Sequence, residues 1–116
     1  MEIKSLDGPS DFLAVLGGTP RNRILDSMLG EIPLDFTLKE IARKSDVSYA
    51  TVKRIWPHIL KSGWVRPTRK VAKTTFYTYD LTNKAAKAIE QCYLKIITDV
   101  TEREASLQVP PIDSKK

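Results

Sequence analysis

Between Ser48 and Lys61 the chain groups Tyr49, Ala50, Thr51, Lys53 and Arg54, a set that mixes hydrogen-bond donors with small apolar groups and contains no acid. An arginine on a helix presents a fork of donors that fits O6 and N7 of guanine, while alanine or a threonine methyl fits the methyl of thymine. The Ser48 hydroxyl and the Lys61 ammonium suit phosphate oxygens, which position a protein on a duplex without reading its sequence. A second group, Arg66, Arg69, Lys70 and Lys73, follows and offers the same phosphate chemistry. Residues 37–79 carry ten Lys/Arg against two acids, a local charge of +8, whereas the chain as a whole is +5, so the two ends together are −3. Cationic charge concentrated in the middle of a chain attracts a polyanion at long range.

Other chemistries find no footing. The sequence has no glycine-rich phosphate loop, no nucleophile paired with a histidine and no clustered carboxylates, so it reads as a non-enzyme with no cofactor. His58 is the single histidine and Cys92 the single cysteine, too few to hold a structural or sensory metal. An internal disulfide is impossible, which fits a reducing cytoplasm. The apolar run 12–16 is far shorter than the ~20 residues of a membrane span and lacks the basic flank of a signal peptide. A cytoplasmic location is therefore expected, with no membrane partner. No effector ligand is identified by any motif.

The elements that must position the basic groups follow from caps and periodicity. Residues 11–16 predict a short helix with Phe12, Leu13, Val15 and Leu16 packing inward, ended by Gly17 and Gly18. Thr19 is a good N-cap and Pro20 suits a first helical position, so a helix over 20–29 follows, with Ile24, Leu25, Met28 and Leu29 on one face. Residues 31–36 connect, with a short strand at their end. Thr37 and Glu40 have capping-box spacing and open a helix to about residue 44, with Ile41 and Ala42 facing inward. A tight turn over 45–47 leads to Ser48, which caps a helix over 49–61 that Gly63 ends. At 100° per residue, Val52, Ile55, Trp56 and Ile59 fall on one side, and Ala50, Arg54, Pro57 and Lys61 on the other, flanked by Lys53 and His58. Pro57 removes a hydrogen bond and crowds the carbonyl of Lys53, which predicts a kink or a break.

Residues 64–66 and 74–80 read as two strands joined by a polar, basic turn over 67–73, a β-hairpin. Tyr77, Tyr79 and Leu81 alternate onto one of its faces, Phe76 and Thr78 onto the other. Asn83 then caps a long helix to about residue 104, where Ala85, Ile89, Cys92, Ile96 and Val100 form an apolar stripe with Tyr93 and Ile97 alongside. Cys92 is expected there as a packed small hydrophobe. So much apolar surface on a terminal helix predicts a partner, most simply a second copy of the chain, with Ala85, Ile89, Cys92, Tyr93, Ile96 and Val100 at the interface. The chain divides into a loose start over 1–9, a DNA-binding domain over 10–82, a dimerisation helix over 83–104 and a frayed tail over 105–116. The fold class is mainly α with a small β-hairpin, α+β.

Helix, tight turn, helix and hairpin in this order is a helix-turn-helix with a wing. The stretch from Ile41 and Ala42 through Val47, Ser48, Tyr49, Ala50, Thr51, Val52, Lys53 and Arg54 resembles the core of prokaryotic and archaeal winged helix-turn-helix transcription regulators, the MarR/ArsR-like superfamily. Leu60-Lys61-Ser62-Gly63-Trp64-Val65 resembles their entry to the wing, and Tyr79-Asp80-Leu81-Thr82 the strand exit before the last helix. Where such turns carry glycine this chain has Asp46, a residue that tolerates a left-handed conformation better than most.

The resemblance implies that helix 48–62 enters the major groove of double-stranded DNA. Ser48, Tyr49, Ala50, Thr51, Lys53, Arg54 and Lys61 would then lie at the duplex. Arg66, Arg69, Lys70 and Lys73 of a wing over 66–74 would meet the flanking backbone or minor groove. The expected function is sequence-specific regulation of transcription as a homodimer. Two alternatives are a chromatin protein that coats DNA without specificity and a winged-helix module that binds other proteins; the +8 segment argues against the second.

Overall fold

The structure, a computed structural model, describes residues 10–108, and side chains as far as residue 103. The expected loose segment 1–9 and residues 109–116 of the expected tail lie outside the described residues. Caps start each helix among the described residues. Ser10 accepts the amide of Leu13 at 3.2 Å and opens α1 (Asp11–Leu16). Thr19 accepts the amide of Asn22 at 3.2 Å and opens α2 (Pro20–Leu29), with proline in the first turn. After the short strand β1 (Asp35–Phe36), both halves of the capping box form at α3 (Leu38–Ser45): Glu40 N donates to Thr37 Oγ1 at 3.2 Å and Thr37 N to Glu40 Oε1 at 2.9 Å. Ser48 opens α4 (Tyr49–Ser62), and β2 (Val65–Val71) and β3 (Thr74–Tyr79) follow. Asn83 Oδ1 accepts the amide of Ala86 at 2.8 Å and starts α5 (Lys84–Gln108).

One core joins these elements. α2 contributes Ile24, Leu25, Met28 and Leu29, α3 contributes Ile41 and Ala42, and α4 contributes Val52, Trp56 and Ile59. Phe36, Val65 and Tyr79 close it from the sheet, Phe12 from α1 and Ala86 from α5. Trp56 meets Tyr77 edge to face with ring centroids 5.1 Å apart. Full burial of an aliphatic or aromatic side chain contributes about 1.5–3 kcal/mol, so the apolar face of α4 alone is a major anchor of the fold.

The structure corrects several expectations. The hairpin is part of a three-stranded antiparallel sheet in the order β1-β3-β2. β1 pairs Asp35 with Thr78 and Phe36 with Tyr77, and two residues are too few to leave a period in the sequence. The second strand runs on to Val71, so the basic segment expected as a turn is mostly strand and the turn is Ala72 and Lys73. Pro67 is tolerated because β2 is an edge strand and because a bulge follows it: the register jumps from Pro67↔Tyr77 to Arg69↔Phe76, leaving Thr68 as the extra residue. α4 is one unbroken helix through Pro57. Pro57 lies on its exposed face, as does Lys53, whose carbonyl it cannot serve as a donor, while Trp56 and Ile59 hold the other face in the core.

At the N-terminal end, Val15 and Leu16 are exposed, contrary to expectation. α1 is short and turns only Phe12 fully inward, where its ring meets Tyr93 of α5 at 5.4 Å. α5 extends through Gln108, so residues 105–108 of the expected tail are helical. Cys92 is exposed and not packed, because Ala86, Ile89, Tyr93 and Ile96 form the side of α5 that meets the body.

Tyr79 ties the sheet to α5. Its phenol is buried and donates to the Ala86 carbonyl at 2.7 Å, and burial pushes its pKa far above the ordinary value of 10.0. The folded chain therefore holds a proton that the unfolded chain releases above about pH 10. Stability should be undiminished by this group below that pH and fall as pH rises beyond it. Tyr93, also raised by burial and then by Asp26, adds in the same direction. In thermal melts between pH 8 and 11, Tyr79→Phe should lose about 1 kcal/mol at neutral pH and show a shallower alkaline decline than the parent.

Candidate nucleic-acid interface

The basic helix α4 is placed by the turn before it and the glycine after it. Asp46 takes the left-handed conformation, φ 57° and ψ 43°, and so turns the chain between α3 and α4. Arg23 of α2 holds this turn from behind, donating to the Asp46 carbonyl at 3.1 Å and to the Gly18 carbonyl at 3.0 Å. At the other end Gly63, φ 84°, redirects the chain from α4 into β2. A Cβ at Gly63 would overlap the side-chain amide of Asn83, so the exit from α4 and the start of α5 share one tight contact.

Between these points α4 is strictly two-sided. Val52, Trp56 and Ile59 are 0%, 3% and 2% exposed, whereas Ser48, Tyr49, Ala50, Lys53, Arg54 and Lys61 are all exposed and Thr51 is half-buried. Among the described residues, Arg54 and Lys61 have no ion-pair partner. The Ser48 and Thr51 hydroxyls are joined at 2.9 Å, and Ser48 also accepts the Thr51 amide at 3.1 Å, so both serve the cap. Tyr49 stands at the first turn with two ammonium groups near its ring, Lys53 Nζ at 5.1 Å and Lys39 Nζ at 5.7 Å from the centroid. Lys39 was not expected at this surface. It belongs to α3, and only the crossing of α3 and α4 brings it to Tyr49; its sequence signal is a basic residue in the first turn of the preceding helix.

The wing cations divide into two groups. Lys70 and Lys73, at and beside the two-residue turn, are exposed and have no ion-pair partner among the described residues. Arg66 lies 3.7 Å from Asp80, whose carboxyl is held below its ordinary range chiefly by the hydrogen bond from Thr82. Arg69 is engaged with Asp35 at 2.9 Å and lies over the Phe76 ring.

The six residues expected at a dimer interface are split by the fold. Ile89, Tyr93 and Ile96 pack against the chain's own core, Ala85 and Cys92 are exposed on another side, and Val100 is half-buried. Leu94, 51% exposed, was not in the expected stripe. His58 is exposed, and no cluster of three His, Cys, Asp or Glu side chains suited to a metal occurs among the described residues. No helix among them is long and apolar enough to cross a membrane.

No protein-family model matches the chain, and no curated protein matches it. Solved structures do. ZitR of Lactococcus lactis, determined as a cysteine-to-serine mutant in complex with DNA, superposes with a TM-score of 0.55 at 12% identity, over 77% of this chain and 62% of that one. Sso10a-2, a DNA-binding protein from Sulfolobus solfataricus, superposes with a TM-score of 0.48 at 10% identity, over 74% of this chain and 90% of that one. With the element order and the ZitR superposition, the fold is a winged helix-turn-helix of the α+β class with a long C-terminal helix.

Gly63 gives the sharpest test of how α4 is joined to the wing. Gly63→Ala should cost about 2–3 kcal/mol, from the left-handed backbone together with displacement of the Asn83 cap. In a thermal melt the midpoint should fall by roughly 10 °C or more.

Proposed function

We propose that this chain binds double-stranded DNA and regulates transcription, with α4 in the major groove and the β2–β3 wing on the flanking backbone or minor groove. The observation that carries this reading is the exposed, cationic side of α4, bearing Lys53, Arg54 and Lys61, opposite a side whose Val52, Trp56 and Ile59 are buried in the core. A major groove about 12 Å wide admits a helix presented in this way. The DNA in the ZitR complex supports the same reading for a chain of this fold. Membership among MarR/ArsR-like regulators is part of the proposal, resting on the motif around Ile41–Arg54 and the wing entry at Gly63.

Base reading falls to Arg54, Lys53, Tyr49, Ala50 and Thr51, and phosphate contact to Ser48, Lys61, Lys70 and Lys73. Arg54→Ala should weaken binding to a selected site by about 1–3 kcal/mol and relax preference at one base position. Lys70→Ala should weaken all duplexes alike and lower the dependence of affinity on salt. Selection from a random duplex library followed by titration of both variants checks this. Equal affinity of the parent for every duplex would instead assign a coating role, and affinity indifferent to salt would remove DNA as the partner.

The chain is further proposed to act as a homodimer through α5, whose Leu94 and Cys92 are exposed and whose distal residues Ile97 and Val100 are only half-buried. Paired copies would place two recognition helices about one helical turn apart on a palindrome. Analytical ultracentrifugation at tens of micromolar should show twice the chain mass; a monomer there removes the dimer.

A further inference from the structure

The two edge strands of the sheet are tied together across the strand between them. The register sets Arg69 opposite Phe76 and Asp35 opposite Thr78, and because residues two apart on a strand share a face, all four lie on one face. From β2 the Arg69 guanidinium passes over the Phe76 ring, 4.0 Å from its centroid, and reaches β1. There Nε donates to Asp35 Oδ2 at 2.9 Å and Nη2 to Oδ1 at 3.2 Å, a two-pronged pair. Thr68, the extra residue of the bulge, donates its one hydroxyl proton to the same Oδ2 at 2.5 Å, and its oxygen lies 3.3 Å from the Phe76 carbonyl. The Asp35 carboxyl is held below its ordinary range, first by the Arg69 hydrogen bond and then by that of Thr68, and Arg69 is held more firmly protonated by the same bond.

The place of this contact matters. β1 supports β3 only at Tyr77 and Thr78. Beyond that the wing is a two-stranded ribbon, which by itself is free to twist and sway. Arg69↔Phe76 is the first cross-strand pair past the end of β1, so the contact grips the ribbon where its support stops. We propose that Asp35, Thr68 and Arg69 form a strap that fixes the wing relative to α4, and that Arg69 acts as a positioning residue and not as a contact to the duplex. The strap rests on the DNA-binding reading above for its purpose, though not for its existence. It leaves Lys70 and Lys73 as the cations the wing presents, already aimed before a duplex arrives.

The two roles of Arg69 predict opposite signs for one substitution. Were Arg69 a phosphate contact, Asp35→Asn would release it and remove a negative charge, and binding would tighten. As a strap member it loses its partner, the wing loosens, and binding weakens despite the more positive net charge. Asp35→Asn, Arg69→Ala and Arg69→Lys are compared with the parent, each first shown by circular dichroism and thermal melting to keep its fold. Amide exchange at residues 70–73 of the free protein should accelerate about two- to fivefold in all three. Affinity for the selected duplex should fall about three- to tenfold, the cost of ordering the wing on binding. Arg69→Lys should behave as Arg69→Ala does, since an ammonium keeps the charge but cannot make the fork.

Unchanged exchange in Asp35→Asn, or tighter binding by it, overturns the strap. Parent protein that binds no duplex, with exchange still accelerated in the variants, overturns the DNA-binding reading and leaves the strap standing as the element that orders the ribbon.

Discussion

The burial of one side of α4 is the constraint on which the remaining arrangement hangs. Val52, Trp56 and Ile59 enter a core that α2, α3 and the sheet enclose. Because an α-helix separates residues by 100°, fixing those three fixes the direction of Lys53, Arg54 and Lys61 as well. No acid pairs with Arg54 or Lys61 among the described residues, so the exposed side of the helix keeps these charges unpaired there. The same burial explains how a proline persists within the helix. Pro57 sits on the exposed side, away from the core contacts that hold the helix in place.

The wing obeys a different logic. A helix is rigid because its own hydrogen bonds hold it, whereas a two-stranded ribbon needs outside support. Here support comes from a two-residue strand, a bulge that follows an edge proline, and the Asp35 carboxylate, which gathers three donors from Thr68 and Arg69. A basic segment is easily read as a uniform patch of charge. In three dimensions its members differ: Arg69 is spent on Asp35, Arg66 stands near Asp80, and Lys70 and Lys73 remain without acidic partners among the described residues.

α5 shows how an apolar stripe serves two ends. Its first turns supply Ala86, Ile89, Tyr93 and Ile96 to the chain's own core, and Tyr93 packs on Phe12 of α1. Apolar surface left over lies at Leu94 and along the distal residues Ile97 and Val100. A second copy is therefore proposed on a narrower surface than the periodicity of the helix suggests.

By itself the sequence determined the elements whose signals are local. The caps at Thr19, Thr37, Ser48 and Asn83, the left-handed turn at Asp46, the glycine at 63 and the two-sided pattern of α4 each depend on residues within a turn or two of one another, and all are found where the residues place them. Only the tertiary structure decided which groups meet across distance. It brought Lys39 to Tyr49, added β1 to the hairpin, turned Cys92 outward and joined Asp35 to Arg69, residues 34 apart in the chain. Periodicity reports which side of an element is apolar; what covers that side, and which charge finds a partner, is set by the packing of elements against one another.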